Sequence, residues 1–496
     1  MSHVLHDLAG NPSLPRELVD RLIATAGGEL ADALAGRPDL TRAQVALLAA
    51  RNEDAALHLA YAGRLAPADV DPVTQPLVAL ALLGERAGPP EWTRLLARAR
   101  SVEHREKLAE CPDLPEDVAC TLAADPEVRV VAELALWTTS GLLGRLAEHP
   151  QAEVRRAVAV NQATPPEVLA ALLDGDALPP ARSCRVCEGE PVPPWEHCEG
   201  AHESTVHAMR YAALGNPATP AAAATAFAGH PSWLLRRELA ARTDLPPQAY
   251  TRLAADTDPR IRARLADNPA IGEALIRTLA ADDDDDVRQR TAHNPAVPLD
   301  VLCRLAAGVR TGSAPLPRVA SASPAELAEL AASPDPAVRM LAARRSDLPD
   351  GIRDVLARDR DAKVLAAVAS HPGLTEDRLA AMVDRHGVRV AAAVAANPGA
   401  TAALLERLAR RRPPARKALR EIARHPHATA AALVACLDDR RARLIAAGHP
   451  ALPPAVIAEL LADDDWEVAG AAAANPSLPV AEMTRLVHLS PPAARR

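Results

Sequence analysis

Apolar positions in this chain come in short bursts separated by proline-bearing turns. In "NPSLPRELVDRLIA" at 11, apolar residues fall seven, eight and eleven places after the start, at Leu18, Val19 and Leu22. "NQATPPEVLAALL" at 161 repeats the spacing with Val168, Leu169 and Leu172. Such spacing lines up one buried face of a helix. An acidic turn follows, as in "DTDPRIRARLA" from 256 and "SPDPAVRMLAA" from 333, and its Asp is suited to cap a second, shorter helix. The next "NP" ends that helix, because the residue before a proline is pushed out of the α region. The second proline of "NPxLP" (Pro15, Pro115, Pro165, Pro220, Pro479) is expected at the first helical position, where its missing N–H costs nothing.

Laid along the chain, this template starts 18 times, at 11, 37, 63, 86, 111, 136, 161, 216, 242, 268, 294, 320, 345, 371, 397, 425, 449 and 475. Neither helix of a pair can hide its apolar face alone, so neighbouring pairs must stack into one continuous core. The predicted fold is an all-α, right-handed α-solenoid, an elongated or curved superhelix of about 18 helix-pair repeats of about 26 residues. Asn occupies the repeat start at Asn11, Asn161, Asn216, Asn268, Asn294, Asn397 and Asn475, and His at His371, His425 and His449. These side chains are expected to bond nearby backbone at a turn that every repeat makes. The recurring Arg of the second helix (Arg129, Arg155, Arg262, Arg288, Arg339, Arg389) is expected to pair with turn aspartates.

The interval from 161 to 216 holds one repeat plus about 29 extra residues. The organisation expected is therefore N-terminal repeats over 1–176, an insert at 177–205, central repeats over 206–307, a Gly/Pro-rich hinge-like loop at 308–318 replacing a second helix, C-terminal repeats over 319–490, and a tail at 491–496.

Composition agrees with thin, closely packed helices. Apolar residues make up 49% of the chain, but with one Phe, three Tyr and five Trp the core must be built from Ala, Leu and Val. Trp92, Trp137, Trp233 and Trp466 sit at different repeat positions and are expected to fill gaps. The start shows no basic segment leading into an apolar one, and no apolar run approaches a membrane span. Cys111, Cys120, Cys303 and Cys436 lie singly in apolar segments, poor material for a disulfide framework. A soluble, cytoplasmic protein is expected.

"VRRAVAVNQATPPEVLAALLDGD", residues 154 to 176, resembles the leucine-rich repeat variant family, and the resemblance extends over nearly the whole chain. It implies a right-handed superhelix of alternating α and 3₁₀ helices, similar in style to HEAT repeats, and a binding scaffold. At least one member of that family carries an iron–sulfur cluster on a cysteine-rich N-terminal segment, whereas the cysteines here lie mid-chain.

The insert reads "CRVCEGEPVPPWEHCEGAH" from 184 to 202. Cys184, Cys187, Cys198 and His202 form C-x2-C-x10-C-x3-H, with His197 a competing fourth ligand. A C-x2-C knuckle presents two thiolates to one ion and a later Cys/His pair closes a tetrahedral site, which favours structural zinc. The insert is too short to bury a core of its own, and metal binding can supply the missing folding energy. The alternative is an iron–sulfur cluster, which ordinarily wants four cysteines.

Two charge runs stand out. Residues 404–443 hold eleven Arg or Lys against four Asp or Glu, with Arg410, Arg411 and Arg412 at the centre, yet no aromatic residue interleaves them to stack bases. "DDDDD" at 282 to 286 coincides with an inter-helix turn, and capping is expected there rather than calcium binding. No phosphate-cradling, nucleophile-elbow or zinc-protease motif occurs. The function expected is a non-enzymatic scaffold whose concave face, shaped by the second helices, binds a protein or peptide partner. The alternatives are nucleic-acid binding through 404–443 and iron–sulfur redox sensing.

Overall fold

The computed structural model describes residues 2–139, 141–175, 178–184, 186–187, 202–308, 310, 312 and 314–488. Among them are 35 α-helices, two 3₁₀ turns and no strand, arranged as the expected α-solenoid of helix pairs. The core is the predicted Leu, Val and Ala face: Leu18, Val19 and Leu22 are buried, as are Leu169 and Leu172. Pro15, Pro115, Pro165 and Pro220 stand one place earlier than expected, as caps rather than first helical residues. The Pro15 backbone is extended (ψ 143), and its carbonyl accepts from the N–H groups of Leu18 and Val19 to begin the helix.

Two compact units divide the chain, residues 60–310 and residues 1–59 with 311–496. In the first, the second helices Val102–Ala109, Val128–Trp137, Ala152–Val160, Glu203–Gly215, Trp233–Ala240, Pro259–Ala266 and Asp285–His293 pack each against the next. In the other, the row runs Pro336–Ala343, Ala362–Ala369, Val388–Ala395, Arg416–Arg424, Arg440–Ala447, Trp466–Ala473. It then continues into Ser2–Ala9 and Gly28–Ala35. The repeat that starts at Asn475 has Val480–His488 as its first helix, and the place of its second helix is taken by Ser2–Ala9 from the other end of the sequence. Gly470 lies beneath the Asp7 carboxylate, which a Cβ there would displace. Arg21 and His488 meet at 2.6 Å, and the rings of His3 and Trp466 lie 5.0 Å apart.

The row of repeat-start side chains is structural, and it reaches further than the local turn. Asn294 Nδ2 donates to the carbonyls of Ala266 (2.8 Å) and Asn268 (2.8 Å) in the preceding repeat, while its Oδ1 accepts from the Ala296 N–H. Asn216, Asn268, Asn397 and Asn475 repeat this three-bond pattern. Asn11 continues it by bonding Ala473 and Asn475. Where the sequence places Arg instead, as at Arg242, Nη1 reaches the equivalent carbonyls of Leu214 and Asn216.

A second ladder joins the acidic turns. Arg105, Arg236, Arg262 and Arg339 each stand six residues before a repeat start and clasp Asp125, Asp256, Asp282 and Asp359 of the next turn through both carboxylate oxygens. Arg443 reaches Asp463 at 3.2 Å. The Asp two places later caps the second helix: Asp284 accepts from the N–H groups of Asp286 and Val287, which accounts for the "DDDDD" run. Of the arginines expected to pair with turn aspartates, Arg262 and Arg339 reach the next turn, while Arg288 pairs with Asp285 of its own turn and bonds the Asp282 carbonyl. Arg129 and Arg389 sit two places earlier on the helix and point outward, Arg129 reaching only Glu106 at 3.7 Å.

The ladder gives the solenoid an acid limit. The Arg262 bond holds the Asp282 carboxyl below its usual range. At Asp359 burial acts upward, but the Arg339 bond and the Asp361 N–H outweigh it and the net shift is also downward. With folded values depressed, this stabilisation is complete above the unfolded carboxylate value of about 3.9 and is lost as pH falls through the folded values. Helical circular dichroism should therefore be flat down to about pH 4 and decline below it, and the Asp282→Asn, Asp359→Asn double variant should show a shallower acid limb. An unchanged limb would remove the ladder from the account.

Candidate metal centre

The first helix of the seventh repeat, Pro166–Asp174, ends at Gly175, whose φ of 80 turns the chain out of the solenoid. The outgoing limb is then fixed against the turn that precedes the Ala152–Val160 helix. Arg182 and Ser183 N–H groups donate to the Pro150 carbonyl, and the Ala152 N–H donates to the Ser183 carbonyl. This forms a one-pair parallel bridge between Gln151 and Ser183. Arg155 holds the limb from below, with Nη1 donating to the Pro179 carbonyl at 2.5 Å and Nε to the His149 carbonyl at 2.7 Å. Elsewhere a turn aspartate 20 residues on receives this arginine, but here that position is Gly175. The insert supplies a backbone carbonyl in its place.

That anchoring delivers Cys184 to a buried position beside Cys187 and His202. One ligand atom from each of the three lies within 4.8 Å of the others. Cys187 Sγ lies 3.0 Å from the Cys184 N–H that donates to it and 3.1 Å from the Cys184 carbonyl. His202 caps the returning helix Glu203–Gly215 with φ 55 and ψ 31, a left-handed conformation uncommon for a residue other than Gly or Asn. Its Nδ1 stands 4.0 Å from Cys187 Sγ. The C-x2-C pair and the last histidine of the sequence motif are thus brought together, although they span 19 residues. Cys198 and the competing His197 lie outside the described residues. The helix resumes at Glu203, inside the 177–205 boundary read from the sequence.

Cys111 and Cys436 are poor ligands. Burial pushes the Cys111 and Cys436 thiols up to about 12, and each sulfur bonds a backbone carbonyl. In the basic segment, Arg410, Arg424 and Arg440 pair with Glu406, Glu421 and Asp465. The tryptophans correct the sequence reading: Trp137 and Trp466 are 56% and 58% exposed and fill no core gap.

Open grooves lie between successive second helices in both units. In residues 60–310 one groove of about 1020 Å³ takes in Glu127, Arg129, Glu133, Leu136 and Val160. A neighbour of about 520 Å³ takes in Val160, His207, Tyr211 and Leu234. Trp137, Val160 and Tyr211 stand exposed at or near the C-terminal ends of three consecutive second helices. No described helix is long and apolar enough to cross a membrane.

No protein-family description matches this chain, and no curated protein sequence matches it. Among solved structures, an engineered protein is similar at 18% identity over 82% of this chain and 95% of that one, with a TM-score of 0.18. A chain from the Pds5–Scc1 complex is similar at 14% identity over 90% of this chain and 70% of its own, with a TM-score of 0.21. A second engineered protein is similar at 18% identity over 74% and 95%, with a TM-score of 0.09. At such scores these likenesses add nothing to the architecture, which rests on the helix order and the two ladders described above.

Proposed function

We propose that this chain is a non-enzymatic, cytoplasmic helical-repeat scaffold of the leucine-rich repeat variant kind. It holds a protein or peptide partner along its second helices and carries a structural zinc ion in its insert. The observation that carries the scaffold reading is the run of open grooves between second helices, lined by exposed Val160 and Tyr211, with exposed Trp137 at the end of the helix Val128–Trp137 beside them. Exposed aromatic and branched side chains beside a groove are the usual anchors of a protein interface.

The zinc reading is supported by the convergence of Cys184, Cys187 and His202 on one point. Cys198 is the fourth ligand by motif spacing. All four positions would be filled by protein, leaving the ion no open site for chemistry, so it folds the insert and does not act on a substrate.

Immobilised protein should capture a stoichiometric partner from the cell that makes it. The Val160→Asp, Tyr211→Ser variant should lose that partner, while Leu95→Ser, on the exposed face of the first helix Glu91–Leu96, should keep it. Equal capture by both variants would move the interface off the second helices.

A further inference from the structure

In the unit formed by residues 1–59 and 311–496, four consecutive second helices carry a cation at the same repeat position. Lys363, Arg389, Lys417 and Arg441 each stand eight residues before the following repeat start. Their helices, Ala362–Ala369, Val388–Ala395, Arg416–Arg424 and Arg440–Ala447, pack in that order. All four side chains are exposed, and none forms an ion pair among the described residues. The corresponding positions in residues 60–310 hold Glu103, Arg129 (seven residues before its start at 136), Glu153, Ala208, Leu234, Arg260 and Asp286, so the row is particular to this unit.

Grooves flank the row. One of about 1080 Å³ is lined by Arg344, Arg360, Lys363, His386 and Arg389, with Asp361 as its one acid. Arg344 Nη1 and His386 Nε2 are buried there without a hydrogen-bond partner. A buried guanidinium nitrogen with no acceptor is costly, and an incoming anion removes that cost. Burial alone draws the Arg344 guanidinium down, as expected for a cation that faces no acid of its own chain. A second groove of about 800 Å³ adds Arg412, Arg416 and Arg420, and Arg420 Nε is likewise buried and unpartnered.

We infer that this row is a docking track for an extended acidic polypeptide whose carboxylates recur at the repeat spacing. The inference rests on the scaffold reading and names the partner's chemistry. Packed helices lie about 8–10 Å apart, and an extended chain rises about 3.3 Å per residue. One acidic side chain in every three therefore meets one cation per repeat. A nucleic-acid duplex fits less well: along its axis each strand carries a phosphate about every 3.4 Å, roughly three for each cation. No Trp, Tyr or Phe lines either groove to stack a base.

The test uses the full chain and fluorescence anisotropy. The probe is a labelled peptide of about 18 residues with Glu at every third position and Gly or Ser between, matched to the rise of about 3.3 Å per residue. Comparison probes are a peptide with the same Glu count clustered at one end, and DNA oligomers, single- and double-stranded. The evenly spaced peptide should bind more tightly than the clustered one, and binding should weaken as salt rises. Lys363→Gln, Arg389→Gln, Lys417→Gln and Arg441→Gln together should weaken it about tenfold or more. Since all four side chains are exposed, the helical signal should be unchanged. Arg344→Gln should weaken it independently. No peptide binding, or equal binding by the four-site variant, would overturn the inference. Tighter DNA binding that the same variant abolishes would replace it with nucleic-acid recognition. If the peptide fails while partner capture through Val160 and Tyr211 persists, the track alone falls and the scaffold reading stands.

Discussion

Replacing Cys187 by Ala is expected to take the bound zinc from one per chain to none while leaving the helical content almost unchanged. Cys187 Sγ stands within ligand distance of both Cys184 and His202, so its loss leaves one thiol and one imidazole to hold the ion together with Cys198. Small zinc modules draw on the order of 10 kcal/mol of folding energy from the metal. The insert should therefore lose its own structure. The solenoid should not, because the outgoing limb is tied to the Pro150–Ala152 turn by backbone bonds and by Arg155, none of which needs the ion. The long excursion between Gly175 and His202 closes at modest entropic cost. Elemental analysis with far-UV circular dichroism checks both halves. Iron with acid-labile sulfide in the anaerobically purified protein would replace zinc by a cluster and shift the function toward redox sensing. Collapse of the helical signal in the variant would make the site part of the solenoid's framework.

Asn11→Ala should loosen helices more than 450 positions away in the sequence. The Asn11 amide donates to the carbonyls of Ala473 (2.8 Å) and Asn475 (2.7 Å) in a buried setting and accepts from the part-buried Ser13 N–H (2.8 Å). Alanine removes all three bonds; the Asn475 carbonyl keeps the Leu478 N–H, but the Ala473 carbonyl loses its Asn11 donor, at about 1–3 kcal/mol for a buried group left unpaired. In a repeat array such a loss acts on the nearest interface rather than on the whole chain. Hydrogen exchange should quicken across Trp466–Ala473 and Val480–His488 as well as Ser2–Ala9, and stay unchanged in residues 60–310. A change confined to residues 2–25 would show that the two ends do not stack.

Much of the candidate metal site was legible because its chemistry is local in spacing. A C-x2-C pair followed by C-x3-H announces a closed ligand set before any fold is known, and Cys184, Cys187 and His202 converge as the spacing requires. The way the site is held was not legible. Arg155 looks like every other arginine of its ladder, and only the displacement of the next acidic turn by Gly175 turns it toward Pro179. The basic track was half visible. The dense run at 404–443 drew attention to Arg410, Arg411 and Arg412, but the row itself runs through Lys363 and Arg389, outside that run. Its signal is a period of about 26 in one repeat position, which a count of local charge does not detect.

The sequence alone determined the helix pair, its caps and its stacking partners wherever they are neighbours in the chain. The apolar period, the "NP" turns and the Asp-x-Asp turns each act within one or two repeats, and short-range forces of that kind leave a direct imprint on residue order. It also determined that a cysteine-rich insert interrupts the seventh repeat. Tertiary structure decided what local periodicity cannot express. A count that begins at Asn11 leaves residues 2–9 without a repeat and Val480–His488 without a second helix, and nothing in either segment says that they complete one another. Both carry the ordinary pattern: "LAGN" at 8 to 11 matches "LADN" at 265 to 268. Any second helix offers the same apolar face and any repeat start the same carbonyls, so the sequence specifies how repeats stack but not which two meet. That choice falls to three-dimensional packing, where Gly470 leaves room for Asp7 and the Asn11 amide finds two buried carbonyls to bond.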